Sequence, residues 1–274
     1  MKVLRWIVDS HIWIALGSSS LAIFSFKSVY ANIDSLVICF LFSSTLFIYN
    51  LQTLIKRGSK KTTSANRSSV KLSELKALTA ISLLSLIPLG FSLNMDKVLF
   101  LGIFVLISLL YAAKLKWTKR NKTDLRSIPF IKIYLIAIVW VGVSVAFPLY
   151  YIGHPFSMSE YLFLLTFFFY FIGITIPFDI RDIKFDAEKM KTIPQNIGVG
   201  YSKGLSMILL LAAGIIAFFL YTQAFLDRSL MLLAMMIFLL SIILSYNSDH
   251  KKSNHFFTGL IDGTIVLFAL AYFF

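Results

Sequence analysis

The sequence predicts an all-α membrane protein, a polytopic bundle of about nine transmembrane helices. Hydrophobic residues make up 58% of the 274 residues, charged residues only 14%, and the mean hydropathy is +0.82. A soluble domain of this size would be about half apolar and about one quarter charged. Lipid must therefore act as much of the solvent, and we expect residues 1–274 to form a single transmembrane domain.

Nine segments of the sequence suit a membrane span, which needs about 20 mostly apolar residues to cross a hydrocarbon core about 30 Å thick. They are 6–26, 33–54, 75–93, 97–113, 131–151, 158–178, 204–223, 229–246 and 256–273. The first segment follows two basic residues, which is also typical of a signal peptide. However, Asp9 and His11 interrupt its apolar run. We therefore interpret it as a retained first helix.

The loops between these segments alternate in charge. The basic set comprises the N-terminus and residues 55–74, 114–130, 179–203 and 247–255, with the adjoining helix edges. Of the 26 Lys and Arg residues, only Lys27, Lys97 and Arg228 fall in the other set. The positive-inside rule then places the N-terminus in the cytoplasm and the C-terminus outside, in what we expect to be a bacterial inner membrane. The same distribution accounts for the net charge of +13 without a nucleic-acid partner.

The clearest candidate site is the acidic run that follows the sixth segment. Asp179, Asp182 and Asp186 lie at offsets of three and four, which would place their carboxylates on one face of a helix. Stacked like charges repel each other, and a divalent cation such as Mg²⁺ would resolve the conflict. Basic residues of the same loop, among them Arg181, could hold the rest of a diphosphate. The alternative is a solvated loop whose acids pair with its bases.

Other candidates are polar residues near or inside the apolar spans, where such residues are costly and often functional. They are Asp9, His11, Asn50, Gln52 and Asp262. Tyr111 and Lys114 lie one helical turn apart and could face one cavity, although a basic loop explains most of the charge around them. The 27 Phe and 12 Tyr residues fit either helix packing or an aromatic tunnel for an isoprenoid chain.

The acidic run and the segment after it resemble a known motif. Asp179-Ile-Arg-Asp182-Ile-Lys-Phe-Asp186, followed by Lys191-Thr-Ile-Pro-Gln-Asn-Ile-Gly198, is similar to the second aspartate-rich motif of the UbiA superfamily of intramembrane prenyltransferases. Weaker similarities to this family are Tyr111-Ala-Ala-Lys114, Ile128-Pro-Phe-Ile-Lys132 and Gly259-Leu-Ile-Asp262-Gly263. With the nine-helix topology, the resemblance covers nearly the whole chain.

This resemblance implies a prenyltransferase that moves a prenyl group from a polyprenyl diphosphate to a hydrophobic acceptor, such as an aromatic lipid, within the membrane. It implies one or two Mg²⁺ ions that help the diphosphate to leave. The implied ligands and catalytic residues are Asp182 and Asp186, and Asp179 assists as a metal ligand. Tyr111 and Lys114 would contact the diphosphate, together with Arg181.

The first aspartate motif of the family, Asn-x-x-x-Asp-x-x-x-Asp, is degenerate here. Asn50 is present, but Leu54 and Gly58 occupy the aspartate positions. One hypothesis is an active enzyme in which Asn50 contacts the diphosphate, and Lys56 and Arg57 supply the charge that the second metal would give.

The alternative is a catalytically inactive membrane protein that binds a lipid or a protein partner. A transporter that uses Asp9 and Asp262 is disfavoured because no inverted halves with broken helices are apparent. The sequence slightly favours the active enzyme, since its second motif is intact.

Overall fold

The structure is a computed structural model, and it describes residues 2–58, 70–112, 131–184 and 191–274. In this described part all regular structure is helical, which confirms the predicted class. The ten helices are α1 (Lys2–Asp9), α2 (Ile12–Ser28), α3 (Ser35–Gly58), α4 (Leu72–Phe91), α5 (Met95–Ala112), α6 (Ile131–Tyr151), α7 (Met158–Asp182), α8 (Ile193–Thr222), α9 (Arg228–Tyr246) and α10 (Phe256–Phe273).

The helices coincide with the predicted apolar segments. Among the described residues, seven helices (α3, α4 and α6 to α10) are long and apolar enough to cross a membrane, and α1 with α2 would form an eighth span. The remaining segment is α5, with 18 helical residues. The chain is therefore an integral membrane protein. The side of the membrane on which the N-terminus lies stays a prediction from the loop charges.

The first predicted helix is not continuous. α1 and α2 are bent by 70° relative to each other, and His11 between them has a φ of 64°. Histidine tolerates this left-handed conformation better than most residues. The Ser10 hydroxyl donates to the Ile7 carbonyl (3.1 Å), which satisfies one backbone group freed at the end of α1. The predicted segment 6–26 is therefore divided between two helices, because these polar residues stabilise a break.

α1 lies across one end of the helix bundle. Trp6 Nε1 donates to Glu74 Oε2 at the start of α4 (3.0 Å), and Arg5 Nε donates to His255 Nε2 just before α10 (2.7 Å). At this same end α3 and α7 finish while α4, α6 and α10 begin. We call it the charged end of the bundle.

Two predicted boundaries move in the segment 179–203. α7 continues beyond residue 178 to Asp182, and helical structure begins again at Ile193 rather than near residue 204. The backbone of α8 is not helical at Gly198 (φ 81°), where a kink separates its first turns from the long apolar helix that ends at Thr222. Pro194 suits the first turn of α8, where its missing N–H is not needed. The backbone N–H of Thr192 donates to Gln195 Oε1 (2.9 Å), which caps the same turn. As a result, Asp179 and Asp182 both lie on α7 itself.

Much of the aromatic content packs the core between α2, α7 and α10. Phe24 lies 5.0 Å from Phe268 and 6.0 Å from Phe163, measured between ring centroids. Tyr170, also on α7, shares a hydrogen bond of 2.7 Å between its hydroxyl and that of Thr264. All these side chains are buried. Helix packing is therefore the role of this group of rings.

α7 and α8 approach each other closely at Gly173. The Ser206 hydroxyl donates to the Gly173 carbonyl (2.7 Å), and a methyl group at residue 173 would lie 2.8 Å from Leu210 Cγ. We expect Gly173→Ala to destabilise the fold by about 1–3 kcal/mol through overpacking. Thermal unfolding in detergent measures this effect. Gly204→Ala is the matched control on α8 because its methyl group would meet open space. Equal unfolding temperatures for the two variants would contradict this packing.

Candidate active site

A cavity of about 1100 Å³ lies between α2, α3, α5, α6, α7 and α10. It is larger than most small-molecule sites, which have volumes of about 300–1,000 Å³. Its ionisable lining residues cluster toward the charged end of the bundle. They are Arg5, Asp9, His11, Arg57, Lys132, Arg181, Asp182, His255 and Asp262.

The cavity becomes apolar away from the charged end. Along α3 its lining changes from Arg57 back to Phe40, and along α6 it changes from Lys132 forward to Val143. The aromatic and aliphatic residues of this deeper section, which we call the aromatic section, include Phe40, Phe47, Leu101, Phe104, Val139, Trp140, Val143 and Phe171. The shape and polarity of the cavity suit a ligand with a charged head and a long apolar tail.

Arg181 is held in place at the charged end by several contacts. Its Nε and Nη2 donate to the two carboxylate oxygens of Asp182 (2.7 and 2.8 Å), and its Nη1 donates to Asn254 Oδ1 (2.8 Å). The guanidinium also lies over the rings of Phe178 and Phe257, 5.0 and 5.6 Å from their centroids. These contacts fix its position. Arg181 and Asp182 are each 24% exposed, so both remain accessible from the cavity.

Asp179, predicted as a metal ligand, lies behind the cavity wall. Its carboxylate forms an ion pair with Lys132 Nζ, and the two side chains are only 2% and 13% exposed. Lys132 lines the cavity, whereas Asp179 is not among the lining residues. The structure therefore separates the two described members of the acidic run: Asp182 faces the cavity, and Asp179 holds a cation of the cavity wall.

Asn50, predicted to contact the diphosphate, is buried behind His11. Its Oδ1 lies 2.8 Å from His11 Nδ1, and its Nδ2 has no hydrogen-bond partner among the described residues. His11 lines the cavity, and its Nε2 lies 3.5 Å from the Thr53 hydroxyl. In this amide orientation Oδ1 can only accept, so His11 carries a proton on Nδ1. Asn50 thus orients a cavity residue and does not itself line the cavity.

The remaining predicted site residues divide into two groups. Arg57 lines the cavity, and its Nη1 donates to the Val70 carbonyl (3.3 Å), which holds it at the charged end. The side chains of Lys56 and Tyr111, and all of Lys114 and Asp186, lie outside the described residues. Their assigned contacts stay predictions.

Sequence reasoning missed Arg5, Trp13 and His255 as cavity residues. Arg5 and His255 contact each other although 250 positions separate them in the chain. No sequence signal distinguishes them, because both lie in segments whose basic character the membrane topology already explains. Trp13 lies in an apolar span, where an aromatic residue is unremarkable.

The described donor set does not form a Mg²⁺ site by itself. In residues 2–58, 70–112, 131–184 and 191–274, no group of three or more His, Cys, Asp or Glu side chains could hold a metal ion. Both carboxylate oxygens of Asp182 are already bound by Arg181. The prediction of Mg²⁺ therefore depends on Asp186, which lies outside these ranges.

Solved structures of UbiA homologues resemble the chain over its whole length. A homologue from Archaeoglobus fulgidus bound to GPP and Mg²⁺ aligns with a TM-score of 0.62 at 14% identity, covering 99% of each chain. A homologue from Aeropyrum pernix K1 gives 0.64 at 15% identity, covering 96% of this chain and 97% of that one. A digeranylgeranylglyceryl phosphate synthase gives 0.58 at 19%, with coverage of 99% and 98%.

The chain has the UbiA fold. This finding confirms the fold that the acidic motif implied. No protein-family model and no curated protein sequence matches the chain. One fold can host different activities, so the UbiA fold does not by itself establish the reaction. GPP, DMAPP and Mg²⁺ are ligands of the Archaeoglobus homologue.

Proposed function

We propose that this protein is a prenyltransferase, which binds a polyprenyl diphosphate in the cavity and transfers its prenyl group to a lipid-soluble acceptor. The observation that carries this proposal is the polarity of the cavity. Fixed cations, namely Arg57, Lys132 and Arg181, line its charged end, and the aromatic section continues from them into the bundle. A homologue of the same fold binds GPP and DMAPP, which supports the same ligand class here.

The diphosphate binds at the charged end. Guanidinium groups form charge-assisted, geometrically matched hydrogen bonds with phosphate oxygens, and an ammonium adds a point charge. As the bond between C1 of the prenyl group and the diphosphate oxygen breaks, negative charge increases on the diphosphate. Preorganised cations stabilise that charge without having to reorganise. Arg181 is suited to this role because its position is fixed by Asp182, Asn254 and two rings.

The prenyl chain lies in the aromatic section. Trp140 and Phe171 stack there with ring centroids 5.0 Å apart, and both line the cavity. Ring faces attract cationic groups, so they also favour the allylic cation that develops as the diphosphate leaves. The volume of about 1100 Å³ leaves room for an acceptor beside the chain.

A second candidate is a catalytically inactive protein that binds a lipid or a protein partner. It is favoured by the degenerate first motif, in which Leu54 and Gly58 provide no metal ligand.

Equilibrium binding of radiolabelled geranylgeranyl diphosphate to the purified protein in detergent tests the proposal. The measurement is made with Mg²⁺ and with EDTA, on the wild type and on the Asp182→Ala, Asp186→Ala double variant. We expect saturable binding by the wild type. If Mg²⁺ strengthens binding to the wild type but not to the double variant, the metal is assigned to these two aspartates. An absence of saturable binding under both conditions would contradict the proposed site.

A transfer assay separates the two candidate functions. The same labelled donor is incubated with the protein and a total membrane lipid extract as the acceptor source. A labelled lipid product that requires active wild-type protein supports the transferase. Saturable binding without any such product favours the inactive lipid-binding protein.

A further inference from the structure

The Asp262 carboxylate is an unused acidic group of the cavity. It lies on α10, directly after π-helical turns over Phe256–Ile261, and it lines the cavity, where it is partly accessible. No described residue forms a hydrogen bond or an ion pair with its side chain. A carboxylate at this depth in a membrane protein is costly, and such groups mark functional sites. Its free oxygens therefore point to a ligand.

The polar groups around Asp262 are engaged elsewhere. Trp13 Nε1 donates to the Gly259 carbonyl (3.1 Å), and its indole packs against Gly263. The Thr258 hydroxyl, one turn before Asp262, donates to the Asn254 carbonyl (3.1 Å). These donors satisfy backbone acceptors and leave the carboxylate with its full capacity to accept hydrogen bonds from a ligand.

Asp262 lies between the charged end and the aromatic section. Along α10 the cavity lining passes from His255 through Asp262 to Ile265. Arg181, which we assign to the diphosphate, is close enough to act electrostatically on the Asp262 carboxylate. A group bound to Asp262 would therefore lie near the junction of the diphosphate and the prenyl chain, where the new bond forms.

We infer that Asp262 binds the acceptor, and that this acceptor carries a hydroxyl group that donates to the Asp262 carboxylate. The inference rests on the proposed function and names the substrate class of the same cavity. The acceptor oxygen bonds to C1 of the prenyl group, and the bond from C1 to the diphosphate breaks with its electron pair leaving on the diphosphate. The hydroxyl proton moves to Asp262, which is thus the catalytic base, and the product is an ether.

The same carboxylate excludes acidic acceptors. An acceptor with its own carboxylate at this position would bring two like charges together at the edge of the aromatic section, which is unfavourable. Asp262 therefore selects neutral hydroxyl lipids over lipid-soluble acids of the same shape.

Three matched probes test this inference: 4-dodecylphenol, its methyl ether and 4-dodecylbenzoate. Equilibrium binding of each to the purified protein in detergent is measured for the wild type, Asp262→Asn and Asp262→Glu. Asp96→Asn is the control because Asp96 is exposed and lies outside the cavity lining. We expect the wild type to prefer the phenol about tenfold over the other probes, the effect of one hydrogen bond to a charged group. We expect Asp262→Asn to lose this preference and to bind the benzoate more tightly, and Asp262→Glu to keep excluding the benzoate.

Equal binding of the phenol and its ether by the wild type would overturn the inference, as would an Asp262→Asn variant with unchanged selectivity. Binding of geranylgeranyl diphosphate to the wild type and to Asp96→Asn reports separately on the proposed function, and we expect it to be the same in both. The protein could bind the phenol in a way that depends on Asp262 and yet not bind the diphosphate. That result would support the hydroxyl-binding site and contradict the prenyltransferase.

Discussion

Replacement of Arg181 by alanine is expected to weaken the binding of geranylgeranyl diphosphate about 10- to 100-fold. A hydrogen bond to a charged group contributes about 1.5–3 kcal/mol, and Arg181 offers such bonds from a guanidinium that its neighbours hold in place. The variant also leaves Asp182 without its cation, so a carboxylate would face the incoming diphosphate. Equilibrium binding to the purified protein in detergent measures the loss.

Two further variants serve as comparisons for Arg181→Ala. Arg181→Lys keeps the positive charge but loses the planar guanidinium group. We expect its affinity for the diphosphate to lie between those of the wild type and Arg181→Ala. Arg228→Ala removes an exposed arginine at the start of α9, outside the cavity lining, and should bind like the wild type. Wild-type affinity in Arg181→Ala would contradict the assignment of this residue to the diphosphate.

Adding Asp182→Asn to Arg181→Ala distinguishes two roles of Asp182. If Asp182 mainly positions Arg181, the double variant removes an uncompensated negative charge and should recover part of the affinity. If Asp182 is a Mg²⁺ ligand, the added substitution should weaken the Mg²⁺-stimulated binding further. The direction of the change therefore decides between the contact seen in the structure and the metal role that the motif implies.

Asp179→Ala is expected to destabilise the protein by about 3–5 kcal/mol, because it removes the carboxylate from a largely buried ion pair with Lys132. Thermal unfolding in detergent measures the effect. Asp96→Ala breaks a pair in which the carboxylate is 50% exposed, and it should change the stability by only about 0–1 kcal/mol. Unfolding of Asp179→Ala at the wild-type temperature would contradict a structural role for the pair.

The double variant Lys132→Met, Asp179→Leu separates stability from binding. Replacing both charges of a buried pair by apolar groups of similar size is often neutral or stabilising. We therefore expect unfolding near the wild-type temperature, but a loss of diphosphate affinity of about tenfold because one cation of the cavity wall is missing. Wild-type affinity in this stable variant would exclude Lys132 from the diphosphate site.

The helical framework was predictable because the bilayer imposes it. Backbone groups in lipid must be satisfied within each segment, so a long apolar run can only be a helix there. The break at His11 was not predictable in the same way. Asp9 and His11 interrupt an apolar run of the sequence, but they do not predict the angle between the two helices. The bend itself depends on tertiary contacts of α1, such as the hydrogen bond from Trp6 to Glu74.

The candidate site was predictable in position but not in detail. Asp179 and Asp182, three residues apart, lie on the same side of α7, and no local pattern predicts that only Asp182 lines the cavity. The partner that divides them, Lys132, lies 47 positions away on α6. The position of Asn50 was also not predictable, because its contact partner, His11, lies 39 positions away. This contact places Asn50 behind His11 and not in the cavity lining. Which side chains contact each other here depends on how the helices pack, and no local sequence pattern determines it.

The proposed binding mode is tested most directly by an experimental structure of the protein with geranylgeranyl thiolodiphosphate, in which sulfur replaces the bridging oxygen and slows cleavage. We predict density for the diphosphate within hydrogen-bond distance of Arg57 and Arg181, and a prenyl chain that passes Trp140 toward Phe104. An analogue bound outside this cavity, or bound with its diphosphate in the aromatic section, would contradict the proposed function.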